Sequence, residues 1–339
     1  MSVRAPAIVF AEPGRVEIRR ADIPDVGPDE VGVRTAYSGV SQGTERWLLI
    51  GRYNRSGEDV AANYPCYPGY QAAGIVEGTG SQVTDLEPGD RVMLQGTRLL
   101  PGARNPGPGL ASHVGYLVAP RRQVTRLHPD VDLAEAALFR MAAVARHGAR
   151  LAGIRNHDLV VVIGQGLIGQ MSAQAARQRG ARVIAADQIR RRVEASARYS
   201  ADLAVDVSER SLEEVMRAEA PNGADVVVDT TGNSRMFETC LALVRHEGRI
   251  CLQGYYPDPI AIDFHPTHLK RPTVTFPCGW DGERDDELAE DLAARRIIIA
   301  PLITHRVPYH DASSAYQLVV EHPERSLGMV FSWEEATLS

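Results

Sequence analysis

The chain has 339 residues, a formal net charge of −6, and is 44% apolar and 24% charged. That length accommodates about two domains with cores of their own, and the acidic balance argues against nucleic acid as the main partner. The opening Met1-Ser-Val-Arg-Ala-Pro has no long apolar stretch, and no run reaches the roughly 18 apolar residues of a membrane span, so a cytoplasmic protein without membrane contact is expected. Cys66, Cys240, Cys251 and Cys278 lie far apart with no Cys-x-x-Cys pair. They offer no metal-binding spacing and read as free thiols.

Residues 1 to about 142 hold short alternating segments such as Ala7-Ile-Val-Phe, Val16-Glu-Ile-Arg, Val31-Gly-Val-Arg, Ala72-Ala-Gly-Ile-Val-Glu and Arg91-Val-Met-Leu, punctuated by Gly and Pro. Strands of this length and spacing predict a compact, mostly β domain, read as a partly open barrel. Thr97 to Leu110 is too rich in Pro-Gly breakers for regular structure and is expected to be a surface loop. From Leu133 an apolar face recurs at helical spacing through Arg150, which predicts one helix carrying the chain into a second domain.

The second domain opens with Leu159-Val-Val-Val-Ile-Gly164-Gln-Gly166-Leu-Ile-Gly169, an apolar run broken by glycines and followed by a helix-compatible stretch. A buried strand, tight turn and helix in that order is the setting a dinucleotide requires. Gly164 permits the turn, Gly166 lets a pyrophosphate approach backbone N–H groups of Leu167 and Ile168, and Gly169 allows close packing. Ala181-Arg-Val-Ile-Ala-Ala-Asp187 is the next strand, and its terminal carboxylate follows at about the 20-residue spacing of a ribose ligand. Asp187 accepts from ribose hydroxyls and repels a 2′-phosphate, which favours NAD. Arg190-Arg-Arg192 pulls the other way, since guanidinium groups answer a phosphate.

Helices at 189–198, 211–219 and 234–244 alternate with strands at Leu203-Ala-Val-Asp, Asp225-Val-Val-Val-Asp229 and Gly248-Arg-Ile-Cys-Leu-Gln-Gly254, with Val274-Thr-Phe-Pro as the last strand. This alternation predicts a doubly wound parallel sheet. Thr230, Gly232, Gly254 and Tyr255 fall at strand ends, where the nicotinamide half of the cofactor is expected. The tail holds an acidic helix 284–295, a strand near 302–307, a helix from Ala312 to Val320 and a strand Gly328-Met-Val-Phe, too little for a domain of its own.

With Pro88-Gly-Asp-Arg-Val and Asp229-Thr-Thr-Gly232 in order, the whole chain resembles the medium-chain alcohol dehydrogenase superfamily. The resemblance implies an α/β fold, a GroES-like partly open β-barrel catalytic domain (1–142) plus a Rossmann doubly wound parallel sheet (143–282), with 283–339 returning to the catalytic domain. Tyr37-Ser-Gly-Val-Ser-Gln-Gly-Thr-Glu45, Pro68-Gly-Tyr-Gln71 and Gln253-Gly-Tyr-Tyr-Pro-Asp are most similar to the branch containing the bacteriochlorophyllide hydroxyethyl dehydrogenases. Where zinc-dependent members carry metal ligands, this chain has Ser41, Tyr70 and, nearest the third position, Phe139; the closely spaced cysteines of a structural zinc lobe are missing. These side chains are not zinc donors, so no metal is expected.

Without zinc a side chain must handle the hydroxyl proton, and Tyr70 is the first choice, against a core tyrosine filling the vacated space. Glu45 and Thr44 come next as a relay, against Glu45 pairing with Arg46 or Arg140. Ser41 is a small replacement for Cys or a participant, and His147 either touches the nicotinamide side or packs. Trp47, Arg52, Tyr255, Tyr256 and Trp280 are candidate substrate walls suited to a polar ring such as a sugar or cyclitol. The expected function is zinc-independent NAD(H)-linked interconversion of a secondary alcohol and a ketone in a biosynthetic pathway. The alternatives are an NADPH-dependent reductase of activated C=C bonds and a non-catalytic nucleotide-binding subunit. A homodimer or homotetramer is expected from Pro272-Thr-Val-Thr-Phe-Pro, where related proteins join sheet edges.

Overall fold

The computed structural model describes residues 3–53, 63–95, 100–104, 111–281 and 283–338. They form two units, Met1–Arg140 with Asp285–Ser339, and Met141–Arg284. The first contains β1 (Val3–Glu12), β2 (Arg15–Ile23), β3 (Glu30–Gly39), α1 (Gln42–Leu49), β4 (Ala72–Thr79), β5 (Arg91–Leu94), β6 (Tyr116–Pro120), β7 (Val124–Arg126) and α2 (Leu133–Ala136). After α3 (Phe139–Leu151) come β8 (Leu159–Ile163), α4 (Leu167–Gln178), β9 (Arg182–Asp187), α5 (Arg190–Tyr199), β10 (Leu203–Asp206), α6 (Leu212–Glu219), β11 (Ala224–Asp229), α7 (Met236–Leu243), β12 (Val244–Leu252), α8 (Phe264–Lys270) and β13 (Thr273–Thr275). The chain then re-enters the first unit with α9 (Asp285–Ala293), β14 (Ile303–Pro308), α10 (Ala312–Glu321) and β15 (Gly328–Ser332).

In the first unit β1 and β2 form an antiparallel hairpin, and the larger sheet runs β14-β15-β3-β4-β5-β7 with β6 also on β3. Val330 of β15 lies opposite Gly39 of β3, so the last strand is held by an early one. One apolar cluster fills this sheet with Val31, Val33, Val76, Val92, Leu94 and Leu117. A second, with Phe10, Leu48, Leu49, Tyr316, Phe331 and Trp333, packs α1, α10 and β15 together.

The second unit is a parallel sheet of order β10-β9-β8-β11-β12-β13. The run Val160–Ile163 is buried throughout, as a strand covered on both faces requires. The strand order reverses between β8 and β11, the point at which sheets of this kind bind ligands at the carboxyl ends of their strands.

Three elements depart from the sequence reading. The single helix expected from Leu133 is two, because the chain turns at Ala137-Leu138. A Cβ on Gly39 would fall 2.2 Å from the Ala137 carbonyl, so β3 and this turn meet only through a glycine. The stretch after Ser41 is helical, as α1, where no helix was assigned, and α8 was not anticipated between β12 and β13. The loop expected at Thr97–Leu110 lies outside the described residues except for 100–104.

Candidate functional site

Tyr70 stands in the turn Pro68-Gly69-Tyr70 before β4. Gly69 has φ +87°, a left-handed conformation that disfavours a side chain, and a Cβ there would press on the His113 ring at 2.9 Å. The Gly69 carbonyl accepts the N–H groups of Ala111 (2.7 Å) and Ser112 (3.1 Å), which stitches the two segments together. The partly buried Tyr70 hydroxyl donates to Ser41 Oγ at 2.6 Å, and Thr44 offers a second hydroxyl to it. Burial pushes this phenol well above its ordinary value and the nearby Glu45 charge adds to that, while the Ser41 and Thr44 hydroxyls pull down. Gln71, the next residue, accepts the Arg140 N–H at 3.0 Å and so fixes the start of α3.

Ser41 precedes α1, and its N–H donates to Glu45 Oε1 at 2.9 Å. Of the two readings weighed for Glu45, pairing with Arg46 or Arg140 is not what the fold shows. Its carboxylate is buried among hydrogen-bond donors: Oε2 receives the Tyr316 hydroxyl at 2.5 Å and lies 3.1 Å from His113 Nε2. Arg140 instead bonds Asp285 at 2.5 Å. His113 Nδ1 is 2.7 Å from Ser38 Oγ, which also accepts the Trp333 indole N–H at 2.8 Å. Burying a carboxylate costs several kcal/mol unless its lone pairs are filled, and here donors from α10 and from residues 41 and 113 fill them. His113, Tyr316, Ser38 and Trp333 were missed by the sequence reading. They carry no local signal, since His113 lies 68 positions and Tyr316 271 positions from Glu45.

In the second unit the turn after β8 is built on glycines. Gly164 has φ +83°, and a Cβ on Gly169 would fall 1.9 Å from the Gly164 carbonyl. Gly166 faces open space and is the N-cap of α4 without a side-chain cap. The N–H groups of Leu167 and Ile168 thus sit in a first helical turn ready for an anion. Asp187 ends β9 with Oδ2 accepting the Gln165 N–H at 2.6 Å and Oδ1 the Ile189 N–H at 2.8 Å. Arg192 lies 3.8 Å from the same carboxylate. The buried Gln165 side chain bonds Val162 O and accepts from Ser196, tying the turn to α5.

At the ends of β11 and β12, Thr230 donates to the Gly164 carbonyl at 2.9 Å. Gly232 (φ +68°) has the Tyr255 carbonyl 2.5 Å from where a Cβ would stand, and Gly254 has the Gly232 N–H equally near. These residues are therefore brought together with the glycine turn. Tyr256 donates to Asp229 Oδ2 at 2.8 Å and packs on the apolar core of this unit. His147 Nδ1 is 2.9 Å from the Asp281 carbonyl and 2.8 Å from Arg150, within the same unit as Trp280. In the first unit Trp47 has the guanidinium groups of Arg46 and Arg52 over its ring at 5.2 and 5.0 Å.

Two family models match the chain, an alcohol dehydrogenase GroES-like domain over residues 27–129 and a zinc-binding dehydrogenase over 168–293. The 2-desacetyl-2-hydroxyethyl bacteriochlorophyllide A dehydrogenase of Cereibacter sphaeroides is 28% identical, covering 98% of this chain and 99% of that one. The D-xylulose reductase of Saccharomyces cerevisiae is 26% identical over 97% and 98%. An Escherichia coli oxidoreductase involved in membrane biogenesis superposes with a TM-score of 0.86 at 23% identity, covering 97% and 99%, which shows a shared fold. The zinc in the second model's name finds no matching donor set: among the described residues no three His, Cys, Asp or Glu side chains are grouped to hold a metal ion. Ser41 and Tyr70 hydrogen-bond each other, and the Arg140 guanidinium close by is an unfavourable neighbour for a dication. With its GroES-like and Rossmann parts, the chain belongs to the medium-chain alcohol dehydrogenase superfamily.

Proposed function

We propose that this chain is a metal-independent, NAD(H)-linked dehydrogenase that interconverts a secondary alcohol and a ketone on a polar ring or polyol substrate. The observation that carries the reading is the Tyr70 phenol hydrogen-bonded to Ser41, with Thr44 beside it. When bound, a nicotinamide supplies or takes the hydride. Tyr70 supplies the proton: a phenol raised above its ordinary value lies closer to an alkoxide in basicity, so it gives up its proton as the carbonyl oxygen gains charge. Ser41 and Thr44 stabilise the phenolate that remains. Asp187 reads the ribose hydroxyls and disfavours a 2′-phosphate, and its carboxylate counters the neighbouring Arg192 charge. The Trp47 ring under two guanidinium groups suits a hydroxyl-rich ring, and His147 braces the turn at Asp281.

The protein is also proposed to act as a homo-oligomer. β13 is a sheet edge, and Ile262, Phe264, Leu269 and Phe276 around it are exposed. Light scattering that returns 37.0 kDa would end that part.

The decisive test titrates NADH and NADPH in parallel and then measures turnover of secondary alcohols with a chelator present. Tight NADH binding, chelator-insensitive turnover, and a Tyr70→Phe loss of about 100- to 10,000-fold in kcat are expected. Normal turnover by Tyr70→Phe removes the reading.

A further inference from the structure

The hydrogens around Glu45 can be placed by chemistry. An indole only donates, so Ser38 Oγ accepts from Trp333, and the Ser38 proton is free to point at His113 Nδ1. The imidazole hydrogen then sits on Nε2, aimed at Glu45 Oε2. Tyr316 donates to that same oxygen, and the Ser41 N–H occupies Oε1. A proton on Oε2 would face two donors. The arrangement therefore suits a carboxylate whose oxygens are filled by donors, held under Ser41 and Tyr70.

The other titratable groups facing this charge do not cancel it. Cys66 and Tyr316 are neutral acids that the charge pushes further up, Tyr53 faces Tyr70, and the Arg140 charge is matched by Asp285. We propose that Glu45, oriented by His113 and Tyr316, is a positioning residue that holds Ser41 against the Tyr70 hydroxyl and sets a negative field at that phenol. This rests on the reading of Tyr70 as the proton-transferring group. Burial is the larger cause of the raised Tyr70 phenol and the Glu45 charge adds to it, so alcohol oxidation rises only under alkaline conditions and Glu45 moves the pH of that rise.

The experiment follows Tyr70 ionisation by tyrosinate difference absorbance, each protein being paired with its Tyr70→Phe counterpart. Glu45→Gln should move Tyr70 ionisation acidward by about one pH unit, and the pH of half-maximal alcohol oxidation with it, with NADH affinity unchanged. Glu45→Asp, which keeps the charge, should restore the wild-type titration. A folded Glu45→Gln protein in which Tyr70 ionises at the wild-type pH overturns the proposal. Normal turnover by Tyr70→Phe would instead sink the proton-transfer reading, while the absorbance pairs still report whether Glu45 governs the phenol.

Discussion

The two units each bury a polar network, and the networks differ in kind. In the second unit Gln165, Gln170, Gln174, Ser196 and Ser200 form a chain of amides and hydroxyls between the glycine turn and α5. In the first, Glu45, His113, Tyr316 and Ser38 form a network around a carboxylate. A neutral chain holds backbone in place at any ordinary pH. A charged one holds backbone and also sets a field, so its removal is felt by neighbouring acids as well as by the fold.

The comparison is most exposed to Glu45→Ala. Three donors then lose their acceptor, and a loss of about 3–5 kcal/mol is expected in urea unfolding; a loss near zero would mean that the network is not closed as described. Alkaline unfolding gives a smaller effect that reaches both units. Burial pushes the Cys66 thiol up to about 12, with Glu45 adding to it, and burial pushes Cys251 up to about 12 as well. A folded value above the unfolded one leaves stability intact below the ordinary thiol range, and it is lost as pH rises toward the folded value. Each thiol should cost about 2 kcal/mol by pH ~10.5. The urea midpoint should hold steady from neutrality to the onset of thiol ionisation and then fall, and a Cys66→Ala, Cys251→Ala double variant should reduce that fall, leaving the part due to Cys240, whose thiol burial also raises. The smallest effect belongs to Ser196→Ala, about 1 kcal/mol with no change in pH dependence. A pH-dependent loss there would erase the distinction between the two networks.

What could be read from the sequence follows from how local the chemistry is. The glycine turn, β8, β9 and Asp187 lie within one short stretch, and periodicity with turn residues carried them. Tyr70 and Ser41 were placed at one site only through the family resemblance, as positions where zinc-dependent members carry metal ligands, and the hydrogen bond between them was not foreseen. For Glu45 a relay with Thr44 was weighed against pairing with an arginine, cations being the obvious partners of a carboxylate, whereas the fold answers it with hydroxyl, imidazole and amide hydrogens and gives Arg140 to Asp285. Nothing in the sequence signals a histidine 68 positions away or a tyrosine 271 positions away as its partner. The break between α2 and α3 was hidden for a similar reason: it depends on the close approach of Gly39 from another strand.

The placement of Tyr316 and Trp333 has a consequence for biogenesis. Both groups come from the returning segment Asp285–Ser339, which pairs through β15 with a strand made some three hundred residues earlier. On the ribosome, Glu45 and Ser38 emerge long before the side chains that satisfy them. The parallel-sheet unit is complete in the meantime and can fold first, while the phenol-bearing unit waits for the returning segment. A nascent chain arrested after Arg284 would hold a finished nucleotide fold beside a site whose carboxylate is still short of its Tyr316 donor.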